Sequence, residues 1–246
     1  MTCRKWCSRL GATLCLCLCS CGSSAHNPYA YDAKRPLDAR DQGVAMANAK
    51  IALHVLSYAG ASGTVNAFVF VPKTGGPHPA VLLLHGSGGN REDLLLPAAQ
   101  LAQRGAVAMT ISQPNNAQTF RPLVVNALRA LDLLAARKDV DPKRIGLVGF
   151  SLGAQTAAIV AGVDHKLTSV GLIAGRGSAA PRYWLPHARA DLYLQDGTLD
   201  DHVPHGQLVW LIKAAPGHPK VQWYDTGHGM NTRSMRPDSQ LSSRKG

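Results

Sequence analysis

Apolar residues along this chain fall into short runs with two different spacings. From Lys50 to Ala59 they recur at alternate positions, as on one face of a strand, and Val65 to Val71 is a second such run. Gly60 to Gly63 separates the two, so the pair predicts an antiparallel hairpin. Ala80 to Leu84 is apolar throughout, the pattern of a strand covered on both faces. After that the periods alternate. Glu92 to Arg104 carries Leu94, Leu95, Ala98, Leu101 and Ala102 on one helical stripe, and Ala106 to Ile111 reads as a strand. Pro122 to Arg137 is a helix with Val125, Leu128, Leu131 and Leu134 inward, followed by a strand from Ile145 to Val148 and a helix from Ala154 to Val163. Val170 to Ala174 and Ala190 to Leu194 are strands, His205 to Ala214 a helix, and Val221 to Tyr224 a last strand. This alternation predicts βαβ units: an α/β fold with a mostly parallel central sheet, an N-terminal antiparallel hairpin and helices on both faces. No insertion large enough for a lid domain lies between Val170 and Ala190, so the site is expected to be open and its substrate small.

The ends of the chain read differently. Arg4, Lys5 and Arg9 precede a short apolar stretch from Leu10 to Leu18, the arrangement of an export signal and too short to span a bilayer. Leu18-Cys19-Ser20-Cys21 resembles a bacterial lipobox, in which Cys21 would be lipidated; the competing reading is cleavage after Ser23-Ser24-Ala25. The chain is thus divided into a signal segment at 1–21, a polar tether at 22–49, a domain at 50–231 and a polar tail at 232–246. All six cysteines lie within the first 21 residues, so the domain uses no disulfide and no thiolate metal site. The expected location is the periplasm or bacterial envelope, with membrane contact only through an N-terminal lipid anchor. Of the 246 residues 46% are hydrophobic, enough for one α/β domain with a sizeable core. The net charge of +11 comes partly from the two ends and is scattered elsewhere. No basic run is interleaved with aromatics, which argues against nucleic-acid binding.

Three loops at strand ends carry the chemistry. Gly149-Phe150-Ser151-Leu152-Gly153 stands between a strand and a helix, where glycines on both flanks permit a strained turn that exposes a serine hydroxyl. Asp196-Gly197-Thr198-Leu199-Asp200-Asp201-His202-Val203-Pro204 follows the strand ending at Leu194, and Thr226-Gly227-His228-Gly229 follows the last strand. A serine hydroxyl is a weak nucleophile, so a histidine must take its proton and a carboxylate must orient that histidine. Ser151 is assigned as nucleophile, His228 as general base and acid, and Asp200 as orienter, with Asp201 and Asp196 as the alternative acids. The Gly-rich segment His85-Gly86-Ser87-Gly88-Gly89 would bring a backbone N–H to the substrate carbonyl, from Ser87 or Gly88, which with the N–H of Leu152 makes an oxyanion hole.

Together these residues resemble the α/β-hydrolase superfamily, and within it the dienelactone-hydrolase and acyl-peptidase-like branch. The likeness runs from about Lys50 to Asn231 and rests on the His85 loop, on Val140 to Gly146 leading into the serine turn, on Gly197-x-x-Asp200-x-x-Val203-Pro204 and on Gly227-His228-Gly229. The resemblance implies the α/β-hydrolase fold and places the acid at Asp200. It implies an acyl-enzyme hydrolysis of a small acyl substrate, an ester first and a thioester or amide second, with no metal and no organic cofactor. Two other readings accompany it: a non-catalytic envelope lipoprotein built on this fold, and an acyltransferase. The chain departs from the family at Gln113-Pro114-Asn115-Asn116, where many relatives carry Asp-x-Arg-Gly-x-Gly. His85 is expected to shape its loop, His202 and His205 to be a loop residue and a helix start rather than a metal pair, Trp184, Trp210 and Trp223 to be core or pocket wall, and Pro181 to His187 to form the pocket rim.

Overall fold

A computed structural model of the protein describes residues 27–229. Residues 1–21, read above as a signal segment with Cys21, and the tail from 232 lie outside these residues. Three antiparallel strands, β1 (Arg40–Ala47), β2 (Ile51–Ala59) and β3 (Thr64–Pro72), begin the described chain. β4 (His78–Leu84), α1 (Leu95–Gln103) and β5 (Val107–Ile111) come next, then α2 (Phe120–Ala135), β6 (Val140–Phe150) and α3 (Leu152–Val163). β7 (Ser169–Ile173), α4 (Ala179–Trp184), β8 (Asp191–Gly197), α5 (His205–Ala214) and β9 (Lys220–Tyr224) complete it. The strands form one sheet in the order β1-β2-β3-β5-β4-β6-β7-β8-β9, in which β5, β4, β6, β7, β8 and β9 are mutually parallel.

The sheet separates two apolar layers of unequal size. On one face Leu82, Leu84, Met109, Leu147, Leu172 and Leu194 pack against α2, α3 and α5. On the other, Ile51, Leu53, Phe70, Leu83 and Ala108 pack against Ala98 and Ala102 of α1. Because side chains alternate along a strand, the α1 face also receives Phe150, Ile173 and Gln195 at the ends of β6, β7 and β8. The helical stripes and the continuous apolar strands therefore fall where their periods place them. Each fully buried leucine here contributes about 1.5–3 kcal/mol relative to exposure.

The lead-in departs from expectation. Residues 27–47, read as part of a tether, lie against the domain. All eight residues of β1 are exposed, so the strand has no apolar alternation to reveal it. Upstream of β1 the contacts are mostly polar and long-range. Tyr31 Oη donates to Asp132 at 2.5 Å, and Arg121 donates to the Ala30 carbonyl at 2.9 Å. Arg129, 2% exposed, gives hydrogen bonds to the carbonyls of Pro36 (2.6 Å), Arg35 (3.3 Å) and Ala59. This segment and the buried Tyr29 cover the outer side of α2 around Arg129, whereas Asn126 of the same helix is buried under the β2–β3 turn, where its Oδ1 accepts the Ala61 N–H at 2.8 Å.

Candidate active site

The serine turn is built by close backbone approach. A Cβ on Gly149 would lie 2.1 Å from the Gly153 carbonyl oxygen, and one on Gly153 would lie 2.2 Å from that of Leu84 in β4. Only glycine fits at either place. Ser151 between them has φ 54° and ψ −111°, left-handed backbone for a residue that is not glycine. Its N–H is held by the Ile173 carbonyl at 2.9 Å, and its own carbonyl accepts the first N–H groups of α3, from Ala154 at 3.0 Å and Gln155 at 3.2 Å. The strain is thus locked by β7 on one side and a helix start on the other.

The two partner loops are laced to each other. A Cβ on Gly197 would sit 2.0 Å from the Thr226 carbonyl. Thr198 N–H donates to Tyr224 O at 2.8 Å and Leu199 N–H to Thr226 O at 3.1 Å. The result is a hydrogen-bonded chain across three strand ends. His228 Nε2 lies 3.0 Å from Ser151 Oγ, and His228 Nδ1 lies 2.7 Å from Asp200 Oδ2. The other Asp200 oxygen accepts from His202 N–H at 2.9 Å and Val203 N–H at 2.8 Å. Burial works against the Asp200 charge, but the Val203 N–H and the His228 imidazole outweigh it and hold the carboxyl below the ordinary range. The imidazole of His228 packs on Phe150, with ring centres 5.1 Å apart, and stacks on His202 at 5.1 Å and 15°. An acid that accepts Nδ1–H leaves Nε2 to act as the base toward the hydroxyl, which suits attack on an acyl carbon.

The remaining candidates are distributed as follows. Asp201 lies at the surface against His202 Nδ1 (2.8 Å), where that contact holds its carboxyl below the usual range. Asp196 accepts from Gly197 N–H at 2.8 Å rather than from His228. His205 stacks on Trp223, ring centres 4.1 Å apart, so it and His202 have separate partners. Trp184 and Trp223 pack against the core, but Trp210 is 45% exposed beneath Arg182. Pro181 to His187 is not the pocket rim: α4 and the turn after it pack on α3 through Leu185. A cavity of about 540 Å³ lies instead on the α1 face, between His85, Ser87, Leu94, Leu96, Phe150 and Ile173.

In the glycine loop the structure separates the two candidate donors. Gly88 N–H donates to Asn115 Oδ1 at 3.1 Å, so Gly88 is committed elsewhere. Among the described residues the N–H groups of Ser87 and Leu152 have no acceptor. The family departure noted at Gln113 to Asn116 turns out to hold this loop. Asn115 Nδ2 donates to Gly89 O at 3.1 Å, and Gln113 N–H donates to His85 Nε2 at 2.8 Å. The ring proton of His85 is therefore on Nδ1, 2.7 Å from Gly86 O, which makes His85 a buried brace. Sequence reading missed Asn115, because its partners lie 26 and 27 positions away; the departure itself was the available signal.

The comparisons with known proteins agree with this architecture. Residues 65–244 match the model of the family described as "Dienelactone hydrolase family". Over 109 residues the chain is 31% identical to Esterase EstD of Thermotoga maritima, covering 38% of this chain and 26% of that one; the chain thus matches about a quarter of that relative's length. The acetyl xylan esterase from Paenibacillus sp. R4 superposes with a TM-score of 0.69 at 19% identity, over 79% of this chain and 84% of the other. Acetyl xylan esterase 1 from Thermoanaerobacterium sp. JW/SL YS485 does so with a TM-score of 0.70 at 14% identity, over 78% and 83%. Strand order, helix placement and these superpositions define an α/β-hydrolase fold, and with the match running through all three loops that meet at Ser151 the chain belongs to the dienelactone hydrolase family.

Proposed function

We propose that the protein is an exported serine hydrolase that cleaves a small ester through an acyl-enzyme. The observation that carries this reading is the unbroken contact from Ser151 Oγ to His228 to the sealed Asp200 carboxylate, at 3.0 and 2.7 Å, with the serine in strained backbone. Ser151 Oγ attacks the ester carbonyl as Nε2 of His228 takes its proton. The oxyanion is met by the N–H groups of Ser87 and Leu152, the latter at the positive end of α3. Collapse expels the alcohol, which leaves with the proton from His228. Water then repeats the sequence on the acyl-enzyme and frees the acid and Ser151. Asp200 holds the imidazole in the tautomer this cycle needs.

The cavity sets the substrate. Its apolar wall is Leu94, Leu96, Pro97, Phe150 and Ile173, with Asp93, Gln100 and Gln195 also lining it, and its volume of about 540 Å³ lies within the range of small-molecule sites. An acyl chain of modest length suits that apolar lining. Wild-type protein is expected to react with a fluorophosphonate probe and to cleave p-nitrophenyl esters, with Ser151→Ala losing both. Probe reaction that persists in Ser151→Ala would overturn the assignment. Across esters of graded acyl length, Ile173→Trp is expected to move the preference toward acetate, read as a several-fold drop in kcat/KM that grows with chain length. Export rests on the basic and apolar pattern of residues 1–21. Lipidation at Cys21 is tested by metabolic labelling with a fatty acid, which Cys21→Ala should abolish; an unlabelled product cleaved after Ala25 would reject it.

A further inference from the structure

We propose that Asp196 is held as a neutral carboxylic acid whose O–H donates to the Asp200 carboxylate, so that it acts as a positioning residue behind the Asp200–His228 pair. This rests on the catalytic reading of Ser151, His228 and Asp200. Asp196 is the last side chain of β8 before the acid loop and has no exposed surface. Its Oδ1 accepts the Gly197 N–H, whereas its Oδ2, equally sealed, meets no N–H or O–H donor. A sealed carboxylate oxygen without a donor is costly, and buried polar atoms are seldom left so. The turn closed by the Asp200 N–H on the Gly197 carbonyl, at 3.3 Å, brings the Asp200 carboxyl back beside that of Asp196, near enough for each to shift the other. Two such carboxylates cannot both hold their charge, and one proton shared between them removes both difficulties. An oxygen that lacks a donor becomes the donor.

The proton belongs on Asp196. Asp200 already has two backbone N–H groups on one oxygen and the imidazole on the other, so it is equipped to be the anion. Asp196 has a single N–H. Its cross-strand neighbour on β9 is Trp223, and Asp200 is the one charged group that perturbs it. Burial, partly offset by the Gly197 N–H and reinforced by the Asp200 charge, pushes its carboxyl up to about 7. Donation from Asp196 fixes the Asp200 carboxylate in the plane that His228 Nδ1 needs.

Infrared spectroscopy of the full chain tests this directly. Wild type at pH 6 should show the C=O stretch of a protonated carboxyl, which fades as pH rises through about 7 and is absent from Asp196→Asn. Kinetics at pH 6 supply the second arm. Asp196→Asn keeps a neutral donor and should retain most of kcat, whereas Asp196→Leu should lose about tenfold in kcat with KM within about twofold. A wild type without the band, a band that survives in Asp196→Asn, or equal kcat in the two variants would overturn the proposal. If Asp196→Leu fails to fold, the spectrum decides alone. A wild type that cleaves no ester would sink the catalytic reading while leaving the band as the test of the buried acid.

Discussion

At Ser151 the hydrogen bond to His228 is of ordinary length, and the unusual element is the backbone. A side chain at φ 54° is reached only because Gly149 and Gly153 let strand, turn and helix crowd together. Gly153→Ala puts a methyl 2.2 Å from the Leu84 carbonyl, a backbone clash that cannot relax by rotamer change. It is expected to cost more than about 3 kcal/mol, as strongly strained substitutions do, with the loss checked by urea unfolding. Asn115 makes a subtler contribution. It ties the Ser87 loop at both Gly88 N–H and Gly89 O, away from the reacting atoms. Asn115→Ala is expected to lower kcat about tenfold with KM little changed, since a misplaced oxyanion donor is felt only in the transition state. Steady-state kinetics with p-nitrophenyl acetate check it; a change confined to KM would contradict the role. Ser151, His228 and Asp200 were legible as residues that would meet because each sits in a short motif after a strand. Asn115 and His85 were not legible in these roles, because their work is hydrogen bonding across loops that sequence spacing does not relate.

Among the elements, legibility followed burial. Strands β4, β6 and β8 and helices α1, α2 and α3 are apolar at the period their packing demands, and the alternation of runs gave the parallel sheet. The lead-in and β1 escaped notice because their attachment runs through backbone carbonyls and a few polar side chains, and a fully exposed edge strand leaves no periodicity. α4 is a six-residue helix, too short for a stripe to show. Arg129 makes the polar attachment testable. A buried guanidinium that serves three carbonyls is costly to replace, since those acceptors lose their donors. Arg129→Met is expected to reduce stability by about 2–4 kcal/mol and to open the stretch before β1 to protease. Limited proteolysis followed by mass measurement would show cleavage between 27 and 39; an unchanged digestion pattern would reject this account of how the segment is held.

For the molecule as a whole, Asp196 couples the site to stability. Burial and the Asp200 charge push its carboxyl up to about 7 in the folded protein, from 3.8 in the unfolded chain. Below the lower value both states hold the proton and no penalty arises. Between the two the unfolded chain releases a proton that the folded chain retains, so stability falls as pH rises, and above about 7 the penalty is complete. Asp196→Asn lacks this loss. Its melting temperature should therefore exceed that of wild type by a margin that widens from pH 4 to pH 7 and then stays level. A constant margin across that range would contradict a raised carboxyl.

The unequal layering of the sheet has an evolutionary consequence. Three helices, α2, α3 and α5, bury the side that carries the serine turn and the laced loops, so any change there disturbs core and chemistry together. The opposite side has α1 alone, and that helix with the segment before it supplies Leu94, Leu96 and Pro97 to the cavity. Under the proposed function, drift in those few positions would retune which acyl group is accepted while Ser151, His228 and Asp200 stay fixed. New specificities in descendants of this chain should therefore arise first around residues 93–100.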